Sequence, residues 1–137
     1  MEADSIKTLP YQMRINSQVK NSMSMFDISS IIDELKDKQN ESNTDIKTRV
    51  LLKNKGNQVL LAVMQDATEI DSYQANESIT FQIIEGKVKI NFRNDMVTLV
   101  KDQSFTIEEN LNYKLTTKEN SVMIITLTGD VFQMASN

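Results

Sequence analysis

The chain has 137 residues, 39% of them hydrophobic and 25% charged, with a net charge of −4 and neither histidine nor cysteine. That length fits one domain able to bury a core without covalent staples. The missing residue types exclude disulfides, zinc–thiolate sites, cysteine nucleophiles and Ser-His-acid triads, and the acidic balance argues against a nucleic-acid partner.

Residues 1–25 are polar and aperiodic, except that Leu9, Tyr11, Met13 and Ile15 alternate along the chain. This alternation predicts an extended arm over 9–15, with Pro10 restricting it to a sheet edge. The opening MEADSIKTLP lacks the features of a secretory signal, and no apolar run reaches the roughly 20 residues that span a bilayer. The expectation is a cytoplasmic protein with no membrane partner. Phe26, Ile28, Ile31, Ile32 and Leu35 fall at helical spacing, with Asp27 or Ser29 as N-cap. The polar run KDKQNESNTD is expected to end this helix and link it to the first strand, so residues 1–45 read as arm, helix and linker.

From residue 46 to 137 the pattern is that of strands. Apolar-rich runs fall at 46–53, 57–64, 78–85, 87–92, 95–100, 103–108, 111–116 and 121–128, separated by turn residues that include Gly56 and Gly86. Short strands at such spacing predict an all-β sandwich or barrel. VLLAVM and VMIITL are almost continuously apolar and are expected to be central strands covered on both faces.

Two sets of spacings carry a resemblance. Ala67, Tyr73, Ala75, Ile79 and Gly86 are separated by five, one, three and six residues. Asp102, Glu108, Asn110, Tyr113 and Thr117 are separated by five, one, two and three. These gaps, with the phrases FQIIEGKVKINF and LVKDQSFTIEENLNYKLTTKENSVMIITL, resemble the two motifs of the cupin superfamily, each of which opens with glycine. The resemblance spans roughly 47–128 and implies a double-stranded β-helix, a jelly-roll barrel, which the helix and the extended arm read above precede in the chain. It also implies metal ligands, histidine or glutamate, at positions 73, 75, 79 and 113. Here those positions hold Tyr, Ala, Ile and Tyr. Ala75 and Ile79 offer no donor atom, and phenols with a reference pKa of about 10 are poor ligands for a divalent metal. The reading is a degenerate metal site with no metal and no cofactor.

The resemblance further implies that Tyr73, Ala75, Ile79 and Tyr113 point into the barrel. Strand alternation then places Phe81 and Ile83 on the face of Ile79, and Leu115 on that of Tyr113, with Met123 contributing from the closing strand. Tyr73, Ala75, Ile79, Phe81, Tyr113, Leu115 and Met123 form the candidate ligand-binding interior. The same side chains also read as filler for the space that a metal and its waters would occupy, and this reading stands ahead of the open pocket.

Three functions are expected as alternatives. The first is a metal-free, non-catalytic small-molecule-binding or regulatory module, with no catalytic residue and a homodimeric state that the family implies, the arm at 9–15 pairing between subunits. The second is a metal-independent isomerase or lyase on a small polar substrate, using Tyr73 and Tyr113 with Glu69 or Glu77. The third is a structural or protein-interaction domain with a filled barrel.

Overall fold

A computed structural model of the protein describes residues 24–71, 78–108 and 111–129. The expected arm at 9–15 lies outside them. The described chain runs α1 (Ile28–Ser42), β1 (Ile46–Asn54), β2 (Asn57–Met64), β3 (Glu69–Asp71), β4 (Ser78–Glu85), β5 (Lys87–Phe92), β6 (Asp95–Val100), β7 (Ser104–Glu108), β8 (Tyr113–Thr117) and β9 (Ser121–Thr128). The strands form a five-stranded sheet, β1-β2-β9-β4-β7, and a four-stranded sheet, β3-β8-β5-β6. Every described pairing is antiparallel. This is the all-β jelly-roll barrel that the strand spacing and the resemblance predict.

The chain changes sheet at each connection except the β1–β2 and β5–β6 hairpins. The corners at 65–68, Gly86, 101–103 and 118–120 therefore share one end of the barrel, its base. The opposite end, the mouth, receives the β1–β2 and β5–β6 turns.

The two continuously apolar strands are central, as their composition demands. In β2, Leu60, Ala62 and Met64 join the barrel interior, while Leu61 and Val63 lie under the helix. In β9, Met123, Ile125 and Leu127 face inward, while Val122 and Ile124 face outward against the second cluster. Both faces are buried because α1 covers the outer one with Ile32 and Leu35. No described helix is long and apolar enough to cross a membrane.

Asp27 is the N-cap of α1, its Oδ1 accepting from the Ser30 amide at 3.2 Å. The helix runs on to Ser42, which corrects the expected stop at residue 36 and the linker to 45. The residues Lys-Asp-Lys-Gln-Asn-Glu carry no strong breaker, and Gln39 is buried against the barrel. The true stop is Asn43, held at φ 55° with its amide bonded to the Gln39 carbonyl at 2.8 Å. Asparagine tolerates this left-handed cap better than most residues.

Ion pairs fix the helix on the sheet. Arg49 of β1 holds both carboxylate oxygens of Glu34, at 3.2 and 2.8 Å, and Lys38 adds a third contact at 3.1 Å. Lys36 reaches Glu85 at the end of β4, at 3.0 Å. The Arg49 hydrogen bonds, with support from Lys38, hold the Glu34 carboxyl down at about 2 from its ordinary 4.5. The folded state thus prefers Glu34 ionised. Its contribution is fully present above pH about 4.5 and disappears as pH falls toward 2. Glu34→Gln is expected to flatten the stability–pH curve between these values and to leave the neutral-to-alkaline limb unchanged. Urea midpoints measured from pH 2 to 8 check this, and an unaltered acid limb in the variant would contradict it.

Candidate functional site

The site rests on the corners at the base of the barrel. Three residues there have left-handed backbone: Ala67 at φ 63°, Gly86 at φ 97° and Asp102 at φ 72°. These are the positions where the two spacings place glycine. The chain must reverse direction and change sheet there, and a positive φ is the local solution. The spacing thus encodes corner geometry, which survives even where alanine or aspartate replaces glycine.

Thr117, the last residue of the second spacing, secures the first corner. It is 1% exposed. Its Oγ1 donates to the Gln65 carbonyl at 2.6 Å and accepts from the Thr68 amide at 2.8 Å. Thr68 donates its hydroxyl to the same Gln65 carbonyl at 2.8 Å, and Asn120 accepts from the Asp66 amide at 2.9 Å. Gly86 is held beside Ser121, whose hydroxyl accepts from the Lys87 amide at 3.2 Å.

Two of the positions tied by the resemblance to metal chemistry, Ile79 and Tyr113, lie in the mouth half. Ile79 is the second residue of β4 and Tyr113 the first of β8. Both are buried, at 3% and 6% exposure, in one cluster with Phe81, Ile83, Leu115 and Met123. The Tyr113 ring stands edge-on to Phe81, with centroids 5.7 Å apart and an interplanar angle of 76°. Cross-strand register explains the convergence: Ile79 pairs with Ile107 and Leu127, while Tyr113 pairs with Phe92. Tyr73, Ala75 and Glu77 lie outside the described residues.

Several inward residues escape sequence reasoning. Gln58 pairs with Leu127 and so stands on the inner face near the mouth, half-buried. Its parity with Leu60, Ala62 and Met64 was the available signal, hidden by the apolar run. Phe92 and Phe105 also pack on the interior, with ring centroids 5.7 Å apart. The three-residue strand β3 is too short to show periodicity. It turns Ile70 inward and leaves Glu69 and Asp71 exposed on the outer face. Glu69 lies 3.7 Å from Lys114 there. This strand adds to the eight runs read from the sequence, and the outward placement of Glu69 removes it as an assistant to chemistry inside the barrel.

The donor set does not fit a metal centre of the kind the spacing implies. Ile79 presents only hydrocarbon, Ala75 has no donor atom, and Tyr113 brings one phenol into an apolar cluster. Among the described residues no three His, Cys, Asp or Glu side chains gather as a metal site would require.

No protein-family model and no curated protein matches the chain. Solved structures do match. A cupin superfamily protein from Desulfitobacterium hafniense aligns with TM-score 0.59 at 15% identity, over 62% of this chain and 78% of that one. A cupin-2 domain containing protein from Shewanella frigidimarina aligns with TM-score 0.55 at 22% identity, over 68% and 90%. The chain has the cupin fold. The Cupin_2 domain of an XRE family transcriptional regulator from Enterobacter cloacae shares it as well, with TM-score 0.56 at 10% identity over 62% of this chain and 97% of that domain. At these identities the likeness concerns the fold alone. In this cupin-fold barrel the base corners have the shape that the spacings predict, and Ile79 brings no donor atom to the mouth half.

Proposed function

We propose that this cupin domain is a small-molecule-binding or regulatory module that works without a metal and without catalysis. The observation that carries the reading is the chemistry of the mouth half: Ile79, Phe81 and Leu127 form apolar walls, and Tyr113 brings a hydroxyl among them. Apolar walls with a few orienting polar groups are the usual character of a small-ligand site. The regulatory part draws on the transcriptional-regulator domain that shares the fold. The guest is apolar on one side and oriented by the phenol hydroxyls of Tyr113 and Tyr73.

Elemental analysis of the purified protein is expected to find no stoichiometric transition metal, and a metabolite screen by thermal shift is expected to find a stabilising guest. The double variant Tyr73→Phe with Tyr113→Phe keeps the ring volumes. It is expected to fold and to lose about 0.5–1.5 kcal/mol of affinity per hydrogen bond removed. About one metal per chain inside the barrel, or unchanged affinity in the double variant, would overturn the proposal. The reading as a filled interaction domain is favoured by the complete burial of Phe81, Ile83, Leu115 and Met123. A screen that returns no guest would select it.

The proposal includes a cytoplasmic homodimer. Among the described residues strand β1 is an edge of its sheet, and it exposes Val50 and Leu52 at 47% and 41%. An uncovered apolar edge is a site for pairing with another strand, and residues 9–15 of a second copy supply the alternation that would pair. Light scattering at micromolar concentration is expected to give the dimer mass, with association weakened by deletion of residues 1–20. A monomer mass for the full chain refutes the dimer.

A further inference from the structure

A cleft of about 190 Å³ lies outside the barrel, between α1 and the base, lined by Lys36, Gln39, Asn40, Val63, Met64 and Asn120. It is at the opposite end of the sheet from Ile79 and Tyr113, and it borders the base corners rather than the mouth.

Gln39 is the central feature. Its side-chain nitrogen donates to two carbonyls, those of Asp45 and Val63, each at 3.1 Å. Carbonyls only accept, so the amide orientation is fixed by its surroundings. The other end of the amide, Oε1, then has no donor among the described residues, although Gln39 is only 5% exposed. A buried acceptor without a partner is costly and calls for a donor in the cleft. The remaining walls offer complementary groups. Asn120 uses its Oδ1 on the Asp66 amide, which leaves its NH₂ as a donor. Asn40 lines the cleft without a side-chain hydrogen bond among the described residues, and its amide supplies a donor and an acceptor. Lys36 is already paired with Glu85 at 3.0 Å. Val63 and Met64 complete the lining with apolar surface.

We propose that this cleft binds a small neutral polyhydroxylated molecule, a polyol or sugar of about three to five carbons. Hydroxyl groups both donate and accept, and this matches a wall that alternates orphan acceptor and free amide donor. An anion would face the Gln39 carbonyl oxygen without a donor to give it. A cation would face the amide hydrogens of Asn120. The volume lies below the roughly 300 Å³ at which drug-sized sites begin, which sets the size. The proposal is independent of what the barrel mouth binds.

Titration of the full-length ¹⁵N-labelled protein with erythritol and with D-ribose tests it. Saturable shifts are expected at the Gln39 side-chain amide and at the backbone amides of Val63 and Asn120 for at least one of the two. Asn40→Ala removes wall groups that hold nothing in the fold. It is expected to weaken that binding about three- to tenfold while leaving the melting temperature unchanged. Shifts that never saturate mean that the cleft holds only water, and this overturns the proposal. Saturable shifts confined to residues around Tyr113, or an unchanged affinity in Asn40→Ala, overturn it as well.

Discussion

Gly86→Ala is expected to lower the stability of the domain by about 2–5 kcal/mol, combining a left-handed backbone cost of about 1–2 kcal/mol with overpacking of about 1–3 kcal/mol. Gly86 turns the chain from β4 into β5 at φ 97°. A Cβ built there would lie 2.3 Å from the Ser121 hydroxyl, 2.5 Å from the Asn120 carbonyl oxygen and 2.7 Å from the Ser121 Cα. Two of those three atoms are backbone, so relief requires moving the β8–β9 corner that also caps the Asp66 amide. Gly56, at φ 85° in the β1–β2 turn, meets only the Gly129 carbonyl oxygen at 3.2 Å and is expected to tolerate alanine better. The reverse change is informative too. Ala67→Gly relieves the left-handed strain at φ 63°, offset by the greater freedom of glycine in the unfolded chain. A net gain of about 0.5–1 kcal/mol is expected. Urea midpoints at constant slope measure all three. A Gly86→Ala protein as stable as the parent would show that the corner is not built as described.

The corners explain why the fold was legible and the site was not. Ala67, Gly86, Asp102 and Thr117 satisfy geometric demands, a reversal of the chain or a buried hydroxyl that binds a corner, and such demands fix spacing. Spacing is visible in a single sequence even after the residues have changed. Strand runs were legible for the same reason, because β2 and β9 need apolar side chains on both faces. The end of α1 was not legible, since Gln39 looks polar in sequence and is buried only through bonds to Asp45 and Val63. β3 was missed because three residues carry no period. Ligand chemistry depends on donor identity rather than spacing. Tyr, Ala, Ile and Tyr at the four expected positions remove the donors that a family pattern would have made readable. Gln58 stayed hidden because the continuous apolar run of β2 masks the parity that puts it on the face of Leu60, Ala62 and Met64.

Phe81→Ala is expected to cost about 3–5 kcal/mol, the range for deleting a fully buried aromatic ring. Phe81 is 0% exposed. It pairs across the sheet with Phe105 and Ile125 and packs edge-on against Tyr113. Deleting the ring leaves an apolar cavity in the barrel interior and removes the wall that fixes the Tyr113 orientation. The neighbouring Gln82 faces outward and is exposed, so Gln82→Ala is expected to stay within about 0.5 kcal/mol. That contrast between adjacent residues tests the strand register, because a slip of one position would exchange the two results. The cavity has a second consequence. Large apolar cavities stay dry and accept apolar guests, so benzene is expected to raise the melting temperature of Phe81→Ala and not that of the parent. A cost below about 1 kcal/mol would place the ring outside the packed interior and would undo the argument that Tyr113 is oriented for a guest.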